Sequence, residues 1–237
     1  MALSVHITFS EAFMRYFNNF DAFMKLVLSM TGGFYNTLII FFFTLLFSLP
    51  LGLAVALLRM SRRKIVSVPT SLYILVMRGT PLLLQLYFFC YGITFLPGIG
   101  DYLVMDRFQA AILAFILNYA AYFCEIFRAG IQAIPKGQYE AARTLGMNYV
   151  QTMRRIILPQ VFRIILPPVS NETITLVKDT SLIYVLAMND LLRTTRNLVQ
   201  RDFSITPFLV AGVFYLLMTL VLTYGFDKLE KRFSKYD

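Results

Sequence analysis

The chain has 237 residues, of which 58% are hydrophobic and only 15% charged, and its mean hydropathy is +0.65. A soluble domain carries about 25% charged residues, so this composition excludes an ordinary soluble fold and points to one polytopic, all-α membrane domain. The net charge of +9 would suit nucleic acid in a soluble protein; in a membrane protein it reads as loop charge that sets orientation, and no nucleic-acid partner is expected.

Residues 1–30 begin without a basic segment, so a cleavable signal peptide is not expected. Phe9, Phe13, Tyr16, Phe17, Phe20, Phe23, Met24 and Val27 share one helical face, and Glu11, Arg15, Asn18, Asn19 and Asp21 take the other. That pattern predicts an amphipathic helix, lying in the interface or packed on the domain. A first span is expected over residues 34–58, which carry no charge. Arg59, Arg62, Arg63 and Lys64 follow at once and mark that end as cytoplasmic.

The apolar run 66–96 is too long for one straight span of about 20 residues. Arg78-Gly79-Thr80-Pro81 interrupts it. The proline lacks a backbone donor and disfavours helix at Thr80, which predicts an entry helix to Met77, a break, and a span over 82–96. Pro97, Gly98 and Gly100 make a turn-rich outer loop. A third span is expected over 108–127, with Glu125 three residues before Arg128, the spacing of a helical ion pair. Cys90 and Cys124 sit in apolar runs without metal-ligand spacing and read as small core residues.

Residues 161–188, the fourth span, are the polar exception. Pro167 and Pro168 precede Asn171, Glu172, Thr175, Lys178 and Asp179. At about 100° per residue these five fall in an arc of roughly 120°. A helix so polar cannot face lipid; it faces a partner helix or a water-filled path. Lys178 is the candidate for attracting a carboxylate, Glu172 or Asp179 an ammonium, and Asn171 and Thr175 hydrogen-bond either. The alternative is that Lys178 pairs with Asp179 or Glu172, or across a subunit interface, and only satisfies burial. A last loop with Asp190, Arg193, Arg196, Arg201 and Asp202 leads to a fifth span over 208–224.

Between the third and fourth spans lies a basic segment, residues 135–159. Tyr139, Ala142, Gly146, Tyr149, Val150 and Met153 recur at helical steps, which is expected to put them on one face of a helix. Gly146 permits a sharp change of direction, and Pro159 marks the next boundary. Most of the 22 Lys and Arg residues fall on the same side of the membrane as this segment, so that side is cytoplasmic, with the N-terminus outside and the C-terminus inside.

Two motifs carry a resemblance. Glu140-Ala141-Ala142, then Gly146, Ile156, Leu158 and Pro159, match the EAA signature of ABC-importer permeases at every one of those positions. Arg78-Gly79-Thr80-Pro81-Leu82-Leu83-Leu84-Gln85-Leu86 resembles a segment of the polar amino acid group of those permeases. The resemblance covers residues 33–226. It implies a type I importer permease with five transmembrane helices plus a cytoplasmic coupling helix. Residues 31–227 would form the membrane domain, residues 1–30 an interfacial helix and 228–237 a cytoplasmic tail. It implies that Glu140, Ala141, Ala142, Arg143 and Gly146 dock on a cytoplasmic ABC ATPase subunit. It further implies a second permease subunit (a copy or a close relative), an extracytoplasmic solute-binding protein, a bacterial cell membrane and a polar L-amino acid as cargo.

Other readings are a permease for another small polar solute, or an ion-gradient transporter relaying charge through Glu172, Lys178 and Asp179. No G-x-x-x-x-G-K-[ST] loop is present, and the lone His6 leaves no His-based metal site or triad. No catalytic residue, metal or cofactor is expected, and the chain is not expected to be an enzyme.

Overall fold

A computed structural model describes Tyr16, residues 19–98 and residues 100–234. The described residues form helices and no strand. Helix α1 spans Phe20–Arg59, α2 Lys64–Gly79 and α3 Leu82–Tyr87, the last continued by a π turn and a 3-10 turn to Phe95. Helix α4 spans Arg107–Gln132, α5 Lys136–Thr144 and α6 Tyr149–Thr152. A π turn over Met153–Ile157 leads into α7, Leu158–Asp179, which tightens to a 3-10 segment over Thr180–Leu186. Helix α8 spans Leu191–Asp202 and α9 Thr206–Ser234.

Three helices, α1, α4 and α9, are long and apolar enough to cross a membrane. The pair Lys64–Gly79 and Leu82–Phe95, bent by 107° at its break, makes a fourth if it counts as one span. Helix α7 has 22 residues, about 33 Å at 1.5 Å per residue, enough for a hydrocarbon core of about 30 Å. Its polar residues keep it from registering by hydropathy alone.

Helix α4 is the central element, packed against α1, α2, α3 and α7. Its buried face is rich in small residues: Ala110, Ala111, Ala114, Ala120 and Ala121. Small side chains let helix backbones approach closely, which is how helices associate where no hydrophobic effect drives them together. Gly52 of α1 shows the result. A Cβ there would lie 2.8 Å from Phe123 Cβ and 3.0 Å from the Ala120 carbonyl oxygen of α4. Phe115, Tyr119 and Phe123 of α4 join Ile40, Leu86, Leu176 and Ile183 in the main core. Outward faces of α1 and α9 show Phe42, Leu46, Leu217 and Val221 to the lipid, the expected solvent for such side chains.

Residues 20–30 differ from the sequence expectation. They run unbroken into the first span instead of forming a separate interfacial helix. Nothing between Phe20 and Arg59 breaks the helix early: Gly32 and Gly33 are tolerated, and Pro50 is accommodated. Residues 1–15, 17 and 18 of the expected N-terminal helix lie outside the described residues, as do residues 235–237 of the tail. The tail residues before them continue α9.

At the far end from the basic loops, α8 docks on α1. Asp190 caps α8 through the amides of Leu192 and Arg193, both at 3.0 Å. Thr37 Oγ1 accepts from the Leu191 amide at 3.1 Å. Asn36 donates to the Asn189 carbonyl at 2.6 Å. Gly33 makes this approach feasible: a Cβ there would meet the Asp190 carbonyl oxygen at 2.6 Å.

The second constraint is the break after α2. Pro81 has no amide, and the carbonyls of the last turn of α2 lose their helical donors. Inside a membrane domain such groups need protein partners. Gln85 Nε2 donates to the Met77 carbonyl at 2.9 Å, the Thr80 carbonyl at 3.2 Å and Thr80 Oγ1 at 2.8 Å. Asn118 Nδ2, from α4, donates to the Met77 carbonyl at 2.9 Å and to Gln85 Oε1 at 2.9 Å. The two amides thus bracket the break and tie it to α4.

Two outcomes follow. Gly33→Ala is expected to lower the stability of the detergent-solubilised protein by about 1–3 kcal/mol through overpacking. Gly32→Ala, with nothing within 4 Å of its Cβ, is the control expected to leave the thermal melt unchanged; equal melts for the two would refute the close approach. Gln85→Leu keeps the volume but leaves the break's carbonyls short of donors, at a cost of about 1–3 kcal/mol each. It is expected to melt earlier than the wild type, read by the same thermal assay.

Candidate translocation path and coupling segment

Beside the break, α2, α3, α4 and α7 enclose a cavity of about 570 Å³. Arg78, Thr80, Asn118, Tyr119 and Tyr122 line it from one side, and Glu172, Thr175 and Asp179 of α7 from the other. Three of the five α7 residues singled out by the sequence therefore meet in one place. Asn171 lines an adjoining cavity of about 590 Å³, which shares Arg78, Tyr122 and Glu172 with the first and continues past Glu125, Arg128 and Ala133 toward the basic loops. Lys178 is exposed and lies outside both linings.

Asp179 accepts a hydrogen bond from Tyr119 Oη at 2.7 Å. Arg128 holds Glu125 through Nε and Nη2 at 2.6–3.2 Å, the ion pair expected from the helical spacing. Arg78 lies 3.9 Å from the same Glu125 and 5.1 Å from the centroid of the Tyr122 ring. The opposite face of α7 buries Thr173, Leu176 and Val177 in the core. The helix is thus divided between an apolar seam and a wet face, as its polarity requires.

Arg78, Asn118, Tyr119 and Tyr122 line these cavities and were not among the residues expected to line a path. Asn118 carried a signal: a lone amide in the middle of an apolar span is unusual enough to mark a site. Tyr119 and Tyr122 carried none, since tyrosines at helical spacing are ordinary core residues.

The segment 135–159 folds as helix, bend and helix. Pro135 caps α5 at its first turn. The helix ends on Gly146 with φ +73°. There the Met147 amide bonds the Ala142 carbonyl at 3.0 Å and the Gly146 amide the Arg143 carbonyl at 2.9 Å, the pair of bonds that closes a Schellman end. Asn148 and Gln151 then form a reciprocal capping box for α6. Ala142 is fully buried, and Tyr139 and Met153 pack on Ile134, Ile157 and Val161. Glu140, Ala141, Arg143 and Gly146 are exposed.

One expectation fails here. Tyr149 and Val150 do not share the inward face of Tyr139 and Ala142; they are 72% and 69% exposed. The left-handed residue at Gly146 resets the helical phase, so a periodicity counted across it has no physical meaning. The outcome is an exposed knob with Leu145, Tyr149 and Val150 at its tip.

Comparison with known proteins agrees with this geometry. The family model described as binding-protein-dependent transport system inner membrane component matches residues 48–235. The L-cystine transport system permease protein TcyB of Bacillus subtilis is 36% identical over 209 residues, covering 87% of each chain. The probable glutamine ABC transporter permease protein GlnM of the same organism is 38% identical over 224 residues, 92% of this chain and 96% of that one. A crystal structure of an amino acid ABC transporter with histidines superposes with a TM-score of 0.80 at 33% identity, covering 90% of this chain and 98% of that chain. With an exposed elbow between spans and a charged cavity beside a broken helix, the chain belongs to the inner-membrane components of binding-protein-dependent transport systems, among the ABC-importer permeases of the polar amino acid group.

Proposed function

We propose that the cavity beside the helix break carries a polar L-amino acid across the membrane. The observation that supports this most is the presence of both charge signs on one cavity of about 570 Å³: Glu172 and Asp179 on α7, with Arg78 on α2. A zwitterion needs both signs. In a site of low dielectric each sign is held strongly when paired and is costly when not. In this reading Glu172 or Asp179 takes the ammonium, and Thr175 and Asn171 hydrogen-bond the cargo as it moves between the two cavities. Lys178, exposed on the same helix, is left for the face that a second permease subunit covers.

Work enters through the elbow. Glu140, Ala141, Ala142, Arg143 and Gly146 form the coupling segment that docks on a cytoplasmic ABC ATPase, which hydrolyses ATP on a separate chain. An extracytoplasmic binding protein delivers the amino acid. The second permease is either a copy of this chain or a close relative. In this orientation the N-terminus lies outside and the C-terminus in the cytoplasm, in keeping with the basic residues around α5 and at the end of α9.

Two measurements test the reading in vesicles carrying the reconstituted transporter. Asp179→Asn is expected to reduce ATP-dependent amino acid uptake by about tenfold or more, the scale of one charged hydrogen bond; unchanged uptake kinetics would remove Asp179 from the path. Gly146→Val forces a β-branched residue into a left-handed backbone. It is expected to abolish binding-protein-stimulated ATP hydrolysis while the permease still inserts, and full stimulation would count against the docking role.

A further inference from the structure

We infer that Arg78 is the anchor for the carboxylate of the transported solute, a role that rests on the cavity being the solute's path. Among the described residues lining the 570 Å³ cavity, Arg78 is the only cation, against the two carboxylates Glu172 and Asp179. A bound amino acid brings its own carboxylate into that space. Left beside two acids without a cationic donor, it would be repelled and desolvated together. Lys178 does not reach the lining, so Arg78 is the group that accommodates it.

Its surroundings leave it available. A cation in the last turn of α2 is favoured by the negative end of the helix, and a purely structural arginine would stop there or pair with Glu125. Yet both oxygens of Glu125 are already engaged by Arg128, at 2.6 Å for the shortest contact. The distance from Arg78 to Glu125 is 3.9 Å, beyond hydrogen-bond range. The guanidinium carbon lies 5.1 Å from the centroid of the Tyr122 ring, a cation–π distance that commits no carboxylate to the N–H edge. That edge is the part that grips a carboxylate with two parallel bonds. Arg78 also lines the adjoining cavity, so the anchor point stands on the way out toward the cytoplasmic side.

The two carboxylates and one guanidinium predict which ligands are accepted. A solute with an ammonium and a carboxylate fits; its α-carboxamide keeps the ammonium and loses the anchor. The test is direct binding to the purified permease–ATPase complex without the binding protein, so that the binding protein's own selectivity does not enter. The probes are L-arginine, L-glutamine and L-cystine, each against its α-carboxamide. The wild type is expected to prefer at least one free acid to its amide by about tenfold or more.

Arg78→Gln is expected to weaken the acid and leave the amide within about threefold, so that the preference disappears; Arg78→Lys is expected to restore part of it. Glu125→Gln removes the neighbouring acid without touching the anchor, and the preference is expected to persist, which separates anchoring from any structural part that the Arg78–Glu125 pair plays. Weakening of acid and amide by the same factor in Arg78→Gln, or a preference that survives that change, would overturn the anchor while leaving the cavity a substrate site. Absence of saturable binding of any probe to the wild type would instead overturn the cavity reading together with the anchor.

Discussion

The structure depends on a broken helix that is not allowed to leave its backbone bare. Pro81 ends α2 in the middle of an apolar run, and the chain turns by 107° into α3. In water the freed carbonyls would be solvated at little cost. In a membrane domain they must be satisfied by protein, and here Gln85 and Asn118 do so. The repair has a geometric consequence. It fastens the break to α4, and irregular backbone held against α4 opens a space that packed helices would have filled. The cavity is the by-product of that repair.

Charge placement follows from the same space. Polar residues of α7 cannot face lipid, so they turn toward the opening at the break. Asp179 is held by Tyr119 and Glu125 by Arg128, which fixes those carboxylates in position. Arg78 is less tightly held. The cavity thus has two carboxylates held in place and one charge with looser contacts.

The elbow between α4 and α7 solves a different problem. It combines a braced base with an exposed tip. Stiffness comes from Ala142 buried at its base, the Schellman end at Gly146 and the capping box of Asn148 and Gln151. Exposure comes from the left-handed turn, which directs Tyr149 and Val150 outward beside the exposed Leu145. The π turn over Met153–Ile157 then joins the elbow without a loop to α7, the helix that carries Glu172 and Asp179.

Much of this was legible along the chain. The membrane class, the break at Pro81, the turn at Gly146, the Glu125–Arg128 pair and the wet face of α7 are local matters of hydropathy, backbone chemistry and helical period, and a linear reading contains them. Residues 20–30 were misread because an amphipathic pattern does not say whether a helix stops, and no breaking residue stops this one. The shared face of Tyr149 and Val150 with Tyr139 and Ala142 was misread because a single positive φ shifts every later residue around the axis. What only the tertiary structure decided is which residues meet: Asn118 with Gln85, Tyr119 with Asp179, and Arg78 in place of Lys178 across from the acids. The two hydrogen-bonded pairs among them join residues 33 and 60 positions apart, and their partners are chosen by how closely small residues let α4 approach its neighbours, which no local pattern records.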